Sequence, residues 1–147
     1  MAIFKHILVA TDFGESSMQA MQCAVELAQK LGAKLTLAHI CDFPSYGYMG
    51  AVALPLDLGQ QIEKAAAARM TATIASIKAR CPNTTSIVKM GLVDQDLLQL
   101  VEELRPDLVL TGTHGRRGLR RAVLGSVAEK LVRRSPVPVL TVHGTEP

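Results

Sequence analysis

A chain of 147 residues with 48% hydrophobic and 20% charged residues has the material for one domain with a sizeable core, and this composition excludes a disordered protein. No apolar run approaches the length of a membrane span and the N-terminus runs straight into a strand pattern, so a cytoplasmic protein is expected. The formal charge of +3 is too small to imply a nucleic-acid partner by itself, and three cysteines without CxxC or metal spacing imply free thiols.

The first apolar run, HILVAT at 6–11, is nearly continuous, as a strand buried on both faces should be. Residues 16–31 follow with Ala20, Met21, Ala24, Val25, Ala28 and Leu31 on one helical stripe. Ser16 or Ser17 is the expected N-cap and Gly32 the C-terminal stop. KLTLAHI at 34–40 predicts a second strand. The segment 41–56 that follows holds both tyrosines and is long for a connection, so it is expected to cover part of a ligand. Residues 57–80 predict an alanine-rich helix, capped by Asp57 and stopped by CPN at 81–83. TSIVKM at 85–90 predicts a third strand. A helix over 94–104 starts at Asp94, turns Leu97, Leu98, Val101 and Leu104 inward, and ends before Pro106. DLVLTGT at 107–113 and VPVLTV at 137–142 predict the last two strands, with a helix from about Ser126 between them.

This alternation predicts an α/β fold: a Rossmann-like, doubly wound, five-stranded parallel sheet of order 3-2-1-4-5 with helices on both faces. Ligands of such sheets bind at the carboxyl ends of the strands where the chain reverses direction across the sheet. Ala10, Thr11 and Asp12, after strand 1, should therefore meet GTHG (112–115), after strand 4.

The stretch that begins there, GTHGRRGLRRAVLGSVAEKLVRR (112–134), is rich in glycine and arginine, and no acid appears between Asp107 and Glu129. Gly112 and Gly115 allow backbone N–H groups to approach a ligand closely. Ser126 and Glu129 match a capping box, with Val127, Ala128, Leu131 and Val132 as the apolar face of the helix it starts. A helix N-terminus favours phosphate, though its dipole contributes only about 0.3–1 kcal/mol when exposed, so several backbone donors must add to it. Of the loop arginines, Arg116 or Arg117 is expected to approach phosphate, while Arg120 and Arg121 form a solvated face. His114 is a candidate phosphate contact. His6 and His39 read as structural strand-end residues and His143 as an exposed tail residue. The run matches neither a Walker loop nor GxGxxG, and it has no aromatic residue on which a base could stack, so nucleic acid is not the expected partner. Asp12 beside a polyphosphate would have to bond a ribose hydroxyl or share a Mg2+.

Gly112 and Gly115, then nine residues, then Gly125 and Ser126 give G-x2-G-x9-G-[ST], and this resembles the nucleotide motif of the universal stress protein family. The resemblance covers the whole chain, from HILVATDFGESSMQAMQCAVELAQKLGAKLTLAHI to GSVAEKLVRRSPVPVLTV, and points to the ATP-binding branch. It implies a regulatory, stress-response protein that binds an adenine nucleotide, ATP with Mg2+, and forms a homodimer. By position, Ala10, Thr11 and Asp12 would lie against the nucleoside and Ile40 would meet the adenine edge. Gly112, Thr113, His114, Gly115, Arg116, Gly125, Ser126 and Val127 would surround the phosphates, and Asp12 would share the metal. The family often has proline where Ala10 stands. The alternative is a weak ATPase or self-phosphorylating enzyme. No catalytic base is evident in the sequence, so slow or absent hydrolysis is expected. The dimer is expected through the last strand, whose apolar edge carries Pro138 and no charge.

Overall fold

The computed structural model describes residues 3–42, 57–114 and 124–144. Strands and helices alternate as β1 (His6–Ala10), α1 (Glu15–Leu31), β2 (Lys34–Asp42), α2 (Leu58–Ile77), β3 (Thr84–Gly91), α3 (Val93–Leu104), β4 (Leu108–Gly112), α4 (Ser126–Arg134) and β5 (Val139–Val142). All four strand pairings are parallel and the order is β3-β2-β1-β4-β5, as the sequence predicts.

Strand periodicity divides the core in two. Ile7, Val9, Leu35, Leu37, Leu108 and Leu110 face one side, where Met21 and Val25 of α1 and Met70 and Ile77 of α2 cover them. Leu8, Ala10, Ala38, Ile40 and Val109 face the other, under Leu97, Leu100 and Val101 of α3 and Leu131 of α4. Adjacent residues pointing to opposite, equally apolar layers is why β1 and β4 read as unbroken hydrophobic runs.

Two helix stops follow the sequence closely, while α2 ends at Ile77, three residues before the expected 80. Gly32 ends α1 in the left-handed region at φ 66°, and Arg105, just before Pro106, ends α3 at φ 49°. The starts of α2 after Asp57 and of α4 at Ser126 also fall where the sequence puts them, but the expected side-chain caps do not form. The N-cap position of α1 is Gly14, not Ser16 or Ser17. Those two hydroxyls are engaged elsewhere: Ser17 Oγ donates to Asp12 Oδ1 at 2.7 Å, and Ser16 Oγ donates to the Val142 carbonyl at 3.2 Å. Helix α3 begins at Val93, one residue before Asp94. Asp57 holds the N-cap position of α2 but makes no capping bond; its carboxylate accepts from Gln61 Nε2 instead. The capping box of α4 does not form either. Gly125 is the N-cap, Ser126 is the first helical residue, and Glu129 accepts from Arg133 one turn on. Val132, expected on the apolar face of α4, is 51% exposed. Strand β5 begins at Val139, so Pro138 precedes it, although the Pro138 carbonyl still accepts from Val109 N at 3.0 Å.

Candidate functional site

The carboxyl ends of β1, β2 and β4 and the first turn of α4 enclose a cavity of about 400 Å3, within the size range of small-molecule sites. Two backbone bonds extend the sheet past the strands and shape its rim: Thr11 N–H donates to the Ala38 carbonyl at 2.9 Å, and Thr113 N–H to the Val142 carbonyl at 3.1 Å. The floor is apolar. Ala10, Ala38 and Ile40 supply it from the sheet, and Val93 and Leu97 from α3. The far end is polar, formed by Gly112, Thr113 and His114 after β4 and by Gly125, Ser126 and Val127 at the start of α4. The first N–H groups of a helix have no intrahelical acceptor, so this end offers donors and the positive pole of the helix dipole.

The turn between β1 and α1 is held by Asp12. Its Oδ1 accepts from Gly14 N–H and from the Ser17 hydroxyl, each at 2.7 Å. Thr11 Oγ1 accepts from Phe13 N–H at 3.0 Å. These bonds hold Phe13 at φ 62°, a conformation that costs a bulky residue roughly 1–3 kcal/mol. The Phe13 ring gains contacts there that offset the cost: its centroid lies 4.7 Å from that of His39, and the Arg69 guanidinium of α2 sits 5.0 Å away over its face.

His39 also lines the cavity. Its Nδ1 is 2.7 Å from the Thr11 carbonyl, which can only accept, so Nδ1 carries the proton. The imidazole thus ties β2 to the β1–α1 turn. His114 places Nδ1 3.0 Å from Thr113 Oγ1, while its Nε2 is buried with no hydrogen-bond partner among the described residues. Asp42 adds a second carboxylate at the rim. Among the described residues, no group of three His, Cys, Asp or Glu side chains converges to hold a metal by itself.

The structure brings together around this one cavity ten residues singled out from the sequence: Ala10, Thr11, Asp12, Ile40, Gly112, Thr113, His114, Gly125, Ser126 and Val127. Gly115 and Arg116, with the other loop arginines, lie outside the described residues, as does 43–56 of the expected covering segment. Four polar lining residues are not among the site residues the sequence pattern points to: Ser17, His39, Asp42 and Thr111. The signal for His39 is its place beside Ile40 near the carboxyl end of β2.

One expectation changes its physical reason. Gly112 is at the site, but a Cβ there would fall 2.4 Å from Ser16 Oγ and 2.7–2.8 Å from backbone atoms of Ser16 and Ser17. Its missing side chain therefore makes room for the first turn of α1.

The universal stress protein family model matches residues 3–143. Universal stress protein A homolog 1 of Coxiella burnetii is 31% identical over 141 residues, covering 95% of this chain and 96% of that protein. Among solved structures, UspA from Lactobacillus plantarum is similar with a TM-score of 0.77 at 22% identity, covering 95% of this chain and 97% of the other. A universal stress protein in complex with cAMP gives a TM-score of 0.66 at 24% identity, covering 97% and 98%. A family protein from Arabidopsis thaliana with AMP bound gives 0.60 at 19%, covering 96% and 92%. No described helix is long and apolar enough to cross a membrane. With the family model spanning nearly the whole chain and a relative above 30% identity along its length, this chain belongs to the universal stress protein family.

Proposed function

We propose that this protein binds ATP in the cavity between β1, β4 and α4, and acts as a regulatory stress-response protein whose nucleotide-dependent conformation a partner reads. The observation that carries the reading is the two-ended cavity: an apolar floor for a base, and a polar end lined by the α4 N-terminus and by His114, whose buried Nε2 has no partner among the described residues. The cAMP- and AMP-bound relatives support the adenine class.

In this reading the Ala10–Ala38–Ile40 floor receives the adenosine, while Gly112, Thr113, His114, Gly125, Ser126 and Val127 receive the phosphates, joined by Gly115 and Arg116. Asp12 is the carboxylate that would share a Mg2+ with the nucleotide; one or two carboxylates plus phosphate oxygens is a donor set this cation accepts. The metal would supply charge neutralisation to the phosphates. Binding, and not turnover, is the output, and a homodimer through β5 carries it.

Ser126→Asp separates binding from folding. An added carboxylate at the first helical position should leave α4 stable or slightly more so, by about 0.3–1 kcal/mol. The same charge faces the phosphate end. ATP affinity by calorimetry should fall at least about tenfold, a change of ~1.4 kcal/mol, with adenosine affinity unchanged. Equal ATP affinity in the two proteins would sink the site assignment.

A further inference from the structure

We propose that His114 is a proton-linked phosphate contact, its Nε2 taking up a proton when a phosphate oxygen of the nucleotide reaches it. This rests on the nucleotide reading above and adds to it a regulation by pH.

The Nε2 atom is buried and has no partner among the described residues, whereas buried polar atoms are nearly always paired. The ring lines the cavity at its polar end. Its position is fixed from three sides. Thr113 Oγ1 meets Nδ1 at 3.0 Å, His114 N–H points to Ser16 Oγ at 3.4 Å, and the preceding residue is bonded to both Val142 and Gly125. The Thr113 hydroxyl can donate or accept, so it accommodates neutral imidazole and imidazolium alike.

A phosphate oxygen only accepts, so an Nε2 facing one must carry hydrogen, and the anion's charge favours the imidazolium. The charged and titratable groups on the neighbouring described elements are these. From β1 comes Asp12, already bonded to Gly14 and Ser17. From β2 come His39, with Nδ1 on the Thr11 carbonyl, and Asp42 at the rim. Helix α1 presents Ser16, with Glu15 next to it in the chain. Asp94 of α3 is paired with Lys130 of α4, and Glu129 of α4 with Arg133. His143, after β5, is exposed. Among the described residues no carboxylate is hydrogen-bonded to the His114 ring, so in this proposal the charge that turns it into a cation is the ligand's.

His114→Gln keeps an N–H donor and removes the titratable charge. ATP affinity of this variant and of wild type would be measured at about pH 6 and about pH 8.5, bracketing the range where histidine changes charge. The variant should bind about tenfold more weakly than wild type near pH 6 and within about twofold of it near pH 8.5. Protonation of ATP itself is common to both proteins and cancels in the ratio. Adenosine, lacking phosphate, should show a ratio near one at both pH values. A ratio that does not change with pH, or an adenosine ratio that follows the ATP ratio, would overturn the proposal while leaving the ATP site standing. Failure of wild type to bind ATP at either pH would instead overturn the nucleotide reading, and this inference with it. Nitrogen NMR of the wild-type ring tests the same contact without a variant: ATP should move the His114 nitrogens to imidazolium shifts, and nitrogens that stay neutral refute the contact.

Discussion

Gly112 shows how one residue serves packing and site at once. Its carbonyl and amide continue β4, its position edges the cavity, and its missing Cβ leaves space for Ser16 and Ser17. Gly112→Ala would drive a methyl group against backbone atoms of α1, which yield less readily than a side-chain tip. The expected cost is about 1–3 kcal/mol, seen as a lower urea midpoint at unchanged slope. An unchanged midpoint would show that α1 can retreat without loss. Phe13 makes the converse point. A bulky residue at positive φ is not foreseeable from composition, because the Asp12 bonds and the His39 and Arg69 contacts that hold it come from three different elements.

At the scale of elements, strands were more legible than helix starts, and the reason is physical. A strand buried on both faces must be apolar at nearly every position, as in Ile7 to Ala10 and Leu108 to Leu110, and such runs stand out locally. A helix start depends on what its flanking hydroxyls find. Ser16 finds Val142, 126 positions away, and Ser17 finds Asp12, so neither serves as the cap. The place of His39 beside Ile40 points to the cavity, but its partners are hidden from the sequence for a similar reason: Thr11 and Phe13 lie across the sheet.

The opposite ends of the strands carry a polar strip with a consequence for stability. His6 Nε2 lies 2.8 Å from Thr36 Oγ1, which lies 3.1 Å from Thr85 Oγ1, linking β1, β2 and β3. Burial, aided by the nearby Lys34 charge, holds the His6 imidazole below the usual histidine range. The unfolded chain therefore binds the proton more readily, and stability falls as pH drops below about 6.5 toward the folded value. Asp107, accepting from Lys5 and His6 N–H, and Asp94, bonded to Lys130, are held below the usual carboxylate range. Their contributions are present above about pH 4 and are lost only as pH falls further, through their folded values. Urea midpoints should thus decline in two stages on acidification. His6→Gln should remove the first stage and spare the second; a first stage that survives the substitution would assign it to another group.

For the whole molecule, the sheet ends at β5, and Leu140 is 39% exposed on that outer strand. An apolar, uncharged edge invites pairing, and an isologous contact between two copies of β5 closes without leaving a further edge there. Light scattering at tens of micromolar is expected to give the mass of two chains for wild type and of one for Leu140→Glu. A wild-type monomer would remove the dimer from the proposed function. The order of the sheet could be read from the alternation of elements, and with it the place of the cavity. The loop arginines are legible in the sequence only as a charge pattern, and a charge pattern carries no distance to the cavity.

The bond from Gly125 N–H to the Thr113 carbonyl, at 2.6 Å, holds the two ends of the 114–124 stretch together at the point where β4 gives way to α4. The sheet and the helix are thereby spliced directly to each other at a closed backbone junction. Thr113 after β4 and Gly125 before α4, which both line the polar end of the cavity, are therefore tied to each other through the main chain, and the site inherits its shape from the sheet rather than from side chains that could be exchanged.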